Sequence, residues 1–148
     1  MPRVIIKGLV PTHSPKELTE LLGKFENYPS YTPTVISVDV EQSENGHGRS
    51  AWEIVFDDGI LKWVGDHEID PDRGVISFRS ISGDFQSMEG SWVATPAGEG
   101  SAVTFDVTFE SGLGTLSDIV DPIAERIMRQ DFEVILRAVI GDALELVA

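Results

Sequence analysis

The chain has 148 residues, 41% of them hydrophobic, with 25 acidic against 11 basic side chains, no cysteine and a net charge of −14. That size and composition suit one globular domain, residues 1–148, with neither a disulfide framework nor thiolate chemistry. A surface this negative repels phosphate backbones and anionic headgroups, which argues against nucleic acid or membrane partners and leaves a solubilising role or docking to a basic protein.

A first strand is expected ahead of the first helix, and Met1–Val10 lacks a signal peptide's charged, apolar and cleavage-site pattern. Ser14-Pro15-Lys16-Glu17 is a helix start: a capping serine, proline at the first helical position and glutamate three residues after the serine. Leu18, Leu21, Leu22 and Phe25 follow at helical spacing, so a short amphipathic helix is expected. Asn27 to Pro33 holds two prolines and reads as a turn or a broken second helix.

From Thr34 to Glu110 the period is two. Ile36, Val38 and Val40 alternate with polar residues, as do Trp52, Ile54 and Phe56 after the turn at Asn45-Gly46-His47-Gly48. Beyond a turn at Asp57-Asp58-Gly59, Leu61, Trp63, Gly65, His67 and Ile69 share one face of a strand. Asp70-Pro71-Asp72-Arg73-Gly74 is a hairpin loop. Val75, Ser77, Arg79 and Ile81 are assigned one face of the returning strand, and strands around Met88–Thr95 and Val103–Phe109 complete an antiparallel meander. After Gly112-Leu113-Gly114 the period changes. Thr115 with Asp118 resembles a cap, Pro122 is tolerable only in or near the first turn, and Ile119, Ile123, Ile127, Phe132, Ile135, Leu136, Val139, Ile140 and Ala143 form an apolar stripe. Such a helix would run about 30 residues, or ~45 Å, and must lie across the sheet. No apolar run approaches the ~18–20 residues of a membrane span, and the expected compartment is the cytoplasm.

A curved sheet and one long helix need not touch everywhere, so a ligand pocket between them is expected, apolar with a few polar groups. Trp63, Ile69, Ile81, Met88, Trp92, Phe105 and Phe109 are its inward candidates, with Arg79 and His67 as the polar exceptions. If Ile69 faces Val75, then His67 faces Ser77 and Gly65 faces Arg79, which puts Arg79 diagonal to His67 and Trp63. A buried arginine needs a partner, and a ligand oxygen or an ordered water can serve. The alternatives are a register one residue off, which turns Arg79 outward, or a distant carboxylate such as Glu53. His67 can equally be a satisfied core histidine. The three histidines, His13, His47 and His67, have no metal-site spacing, and neither a phosphate loop nor a Gly-x-Ser-x-Gly elbow is present.

Four stretches, SPKELTELLGKFENYPSYTPTVISVDV, LKWVGDHEIDPDRGVISFRSISGDF, MEGSWVATPAGEGSAVTFDVTFE and PIAERIMRQDFEVILRAV, resemble the polyketide cyclase/aromatase and coenzyme-Q-binding branch of the START-like superfamily. The resemblance implies an α+β helix-grip fold: a curved antiparallel sheet of about seven strands around a long C-terminal helix, with one or two short helices after the first strand. It implies a cofactor-independent cyclase that folds a reactive poly-β-ketone in its cavity, with a carrier protein or synthase as a further partner. On it, Arg79 and His67 are the candidate catalytic groups. Tyr28, Tyr31, Trp63, Ile81, Phe85, Met88, Trp92 and Phe105 are the candidate substrate-binding residues. Where the aromatase cyclases carry a second arginine on the Trp63 strand, this sequence has His67. The other reading is a non-catalytic carrier for a quinone, lipid or polyketide.

Overall fold

The computed structural model of the protein describes residues 2–42, 45–56, 59–111 and 117–147. Strand β1 (Arg3–Val10) leads to helix α1 (Pro15–Leu22), a 3-10 turn (Phe25–Asn27) and the four-residue α2 (Tyr28–Tyr31). A meander follows: β2 (Val35–Gln42), β3 (His47–Phe56), β4 (Gly59–Asp70), β5 (Val75–Gly83), β6 (Ser87–Ala97) and β7 (Gly100–Glu110). Helix α3 (Ser117–Ile140) and a short β8 (Glu145–Val147) end the chain. The strands form one sheet in the order β2-β3-β4-β5-β6-β7-β1-β8, so β1 closes the meander against β7 and β8 adds an eighth strand beyond the expected seven.

The start of α1 follows its sequence signature. Ser14 Oγ accepts from the Glu17 N–H at 3.2 Å, and the Glu17 carboxylate accepts from the Ser14 N–H at 3.2 Å, a reciprocal capping box. Helix α3 is shorter than expected because Gly141, at φ +92°, takes the left-handed conformation that stops it before Ala143. Its Pro122 lies inside the helix, beyond the first turn. Ala124, Met128, Phe132, Ile135, Leu136 and Val139 are buried against the sheet. Ile119 and Ile123, assigned to that stripe, are instead 67% and 48% exposed. On one flank of α3 an Arg129 Nη1 donates to the Ile5 carbonyl at 2.7 Å, tying the helix to β1. No helix among the described residues is long and apolar enough to cross a membrane. The turn expected at Asp57-Asp58 and the cap formed by Thr115 lie outside the described residues.

Two irregularities decide which side chains face the helix. A bulge between Val35 and Ser37 turns Ile36 outward and puts Val35 in the core. At the β4–β5 hairpin Asp70 itself pairs with Val75, and the Gly74 N–H bonds the Pro71 carbonyl across a four-residue turn. The register is therefore Ile69↔Ile76, His67↔Phe78 and Asp66↔Arg79. One residue of slip flips a whole strand, so Ile76 and Phe78 face the helix while Val75, Arg79 and Ile81 belong to the outer face.

Candidate functional site

The inner face of β3 presents Gly48, Ser50 and Trp52; β4 presents Trp63, Gly65 and His67; β5 contributes Phe78, and β6 Met88 and Trp92. All of these but Gly48, with Phe105 from β7, Phe132 and Ile135 from α3, and Phe25 and Tyr28 from the segment after α1, line a partly open space of about 40 Å³. That admits about three water molecules, against the roughly 300–1,000 Å³ of a pocket that holds a drug-sized ligand. The chain's three tryptophans all border this space.

Within this apolar box His67 is 4% exposed, and neither ring nitrogen has a hydrogen-bond partner among the described residues. The Phe25 ring meets it edge-on, 4.9 Å between centroids and 88° between planes. Burial holds its pKa below the ordinary imidazole value, against an upward pull from Asp66 and Glu26. The ring is thus neutral at pH 7, with one N–H to donate and one lone pair to accept. Each unpaired buried polar group costs about 1–3 kcal/mol, which packing alone does not explain. Nearby, Ser50 Oγ accepts from Trp52 Nε1 at 2.8 Å. Tyr28 is a wall and not an acid: its hydroxyl donates to the Leu22 carbonyl at 2.5 Å, and burial pushes its pKa well above the phenol range.

One further buried polar atom lacks a partner among the described residues, Oδ2 of Asp131 on α3. Asp131 sits one helical turn before Ile135, on the flank away from Arg129 and β1. Burial pushes its carboxyl up to about 6. Among the described residues no three His, Asp or Glu side chains gather as a metal-ligand set.

Residues 12–131 match the family described as polyketide cyclase / dehydrase and lipid transport. The chain belongs to that family. Solved structures agree on the fold. A protein from Thermus thermophilus is 26% identical, with a TM-score of 0.85 and 94% of each chain covered. The Zhui aromatase/cyclase from Streptomyces sp. R1128 is 18% identical, with a TM-score of 0.80, over 95% of this chain and 93% of that one. A START superfamily protein from Mycobacterium smegmatis is 16% identical, with a TM-score of 0.76, over 93% and 94%. The eight-stranded antiparallel sheet and long C-terminal helix are the helix-grip fold.

In this member of the cyclase/dehydrase family the residues singled out from sequence divide into three groups. His67, Tyr28, Trp63, Met88, Trp92 and Phe105 border the space. Phe85 is buried one layer away, packed edge-on to Trp63 and Phe109 at 5.7 Å from each. Arg79, Ile81 and Tyr31 are corrections. Arg79 is exposed and its side chain belongs by register to the outer face, between Asp66 and Glu89, although the residue also borders the space. Ile81 is 43% exposed for the same register reason. Tyr31 ends α2 and is also 43% exposed, turned away from the interior where Tyr28 points. Phe25, Ser50, Trp52, Phe78, Phe132, Ile135 and Asp131 were not singled out. The alternation that marks Trp52 and the helical spacing that marks Phe25, Phe132 and Ile135 carry a core signal only, and Phe78 was hidden by the hairpin register.

Proposed function

We propose that the chain takes one hydrophobic, enolisable molecule of polyketide type into the space around His67 and promotes its aldol-type cyclisation and dehydration. The observation that carries the reading is the neutral, unpartnered imidazole walled by aromatic rings. Its lone pair removes a proton from a carbon beside a ketone, giving an enolate. That carbon attacks the carbonyl carbon five atoms along, closing a six-membered ring, and the imidazolium returns its proton to the alkoxide. Loss of water then gives the ring, and His67 ends neutral as it began. Asp131, with its carboxyl near 6, is the second group able to hold a proton close to neutral pH. The aromatic walls fix which carbons approach.

A substrate needs more room than the walls now leave. The wall built from the shortest elements is Phe25–Tyr31, a three-residue 3-10 turn and a four-residue helix, neither with a side-chain cap. Displacing it opens the box above His67.

Heptane-2,4,6-trione is a direct probe, since aldol closure and loss of one water convert it to orcinol. The protein is expected to accelerate orcinol formation, and His67→Gln to lower the rate by about a hundredfold while probe affinity stays within a few-fold. Equal rates with and without protein defeat the cyclase reading. The carrier reading has one observation in its favour: with Arg79 outside, the inner strand faces offer a single titratable group, His67. Tight one-to-one binding of a quinone or polyketide without turnover would establish it.

A further inference from the structure

Two glycines on the inner face hold the rings that flank the space. Gly48 stands directly opposite His67 on β3, and Gly90 directly opposite Phe78 on β6. A Cβ at Gly48 would lie 2.5 Å from His67 Nε2 and 2.8 Å from its Cε1. A Cβ at Gly90 would lie 2.8 Å from the Phe78 Cζ, and it would also meet the β7 backbone, closer still, at the Asp106 carbonyl oxygen. Each ring therefore occupies the volume a neighbour's side chain would take. His67 and Phe78 are themselves a cross-strand pair on β4 and β5. Ordinarily such a pair packs together over its two strands. Here they lean apart, one over β3 and one over β6, and leave the β4–β5 backbone as the floor between them. Gly65, two residues before His67 on the same face, keeps that floor bare.

The aromatic contacts repeat the division. Phe25, Trp52 and Trp63 run together on the His67 side. Phe78, Phe105 and Phe132 run together on the other. We infer that Gly48 and Gly90 are specificity-determining: by seating His67 and Phe78 apart they make a slot that takes a flat ring system bearing one hydroxyl. A neutral imidazole can donate to and accept from a hydroxyl, and ring walls on two sides stack on a planar guest. A saturated alkyl chain or a carbon cage offers no such faces, whereas the conjugated enol of a β-polyketone does. This rests on the reading of the space as a ligand site.

Three ten-carbon alcohols test it by calorimetric titration: 2-naphthol, which is flat, 1-decanol, which is a chain, and 1-adamantanol, which is a cage. The flat alcohol is expected to bind about tenfold or more tighter than either other. Equal affinities, or a preference for decanol, overturn the slot while leaving the ligand site standing. Binding of none of the three removes the ligand site and the slot with it. Gly48→Ala, which drives the imidazole into the slot, is expected to weaken 2-naphthol about tenfold. Its methyl also meets the Glu41 carbonyl at 2.9 Å, so two further variants separate seating from folding. In Gly48→Ala/His67→Ala the displaced ring is gone, and binding of naphthalene is expected to return. Phe78→Leu keeps the register but removes one flat wall, and the preference for naphthol over adamantanol is expected to collapse. A folded Gly48→Ala protein that binds 2-naphthol like the parent, or a Phe78→Leu protein that keeps the full preference, overturns the inference.

Discussion

His67→Leu is expected to stabilise the protein. The imidazole is almost wholly buried with both nitrogens unpaired, beside a space of about 40 Å³. One water in that space can satisfy one nitrogen, which leaves one group unpaired at about 1–3 kcal/mol. Leucine has a similar volume but a different shape, and its strain against Phe25 and the β3 backbone takes back up to about 1.5 kcal/mol. The net gain is about 1 kcal/mol near pH 8, or roughly 2–4 °C in Tm for a chain of this size. The gain also depends on pH. Because burial lowers the folded-state pKa, the unfolded chain binds a proton as pH falls below about 6.5 while the folded protein does not. The parent therefore loses stability through that window, the leucine variant does not, and the gap between them widens on acidification. Paired thermal melts at pH 8 and 5.5, with urea titration at each, read both parts. A variant less stable than the parent by 1 kcal/mol or more at pH 8, or a gap that stays constant with pH, would refute the account of His67 as an unsatisfied group kept for function.

Asp131→Asn is expected to raise stability by about 1–2 kcal/mol at pH 7, discounted for partial exposure, with the advantage gone by about pH 4. The sign follows from a carboxyl raised to about 6: the folded state holds the proton between the two pKa values, so the native aspartate weakens the fold progressively as pH rises from about 4, and the loss is complete once pH has passed 6. Melts across pH 4–8 decide it. Ser14→Ala removes the acceptor of the Glu17 N–H and is expected to cost about 1 kcal/mol in urea unfolding. Arg79→Ala, on the outer face, is expected to leave 2-naphthol affinity within about twofold; a larger loss by calorimetry would mean that the guanidinium reaches the ligand.

Much of the fold was legible because its signals are local. The capping serine, the prolines after α1, the alternation through Trp52, Ile54 and Phe56, and the change of period at α3 each follow from chemistry within a few residues. The helix end was not, since Ala143 continues the apolar spacing and only the positive φ at Gly141 ends the helix. The edge strand β8 was also missed, because three residues carry too little pattern to distinguish a strand from a tail.

The site was legible one strand at a time and not across strands. His67 and Trp63 lie on β4, where alternation alone fixes their face, and both border the space. Arg79 and Ile81 lie on β5, whose face depends on whether Asp70 belongs to the loop or to the ladder. A five-residue loop puts Arg79 beside His67; the observed pairing of Asp70 with Val75 puts Phe78 there. Parity is a yes-or-no property, so one misjudged hairpin residue exchanged a cation for a ring and turned a two-group polar site into an imidazole in an aromatic box. The same parity explains why the two glycines carry no signal in the sequence alone. Gly48 and Gly90 acquire meaning only once their cross-strand partners are known to be His67 and Phe78. A glycine facing inward among large rings is then a vacancy that a particular neighbour fills, and the neighbour's orientation becomes a property of the glycine's strand.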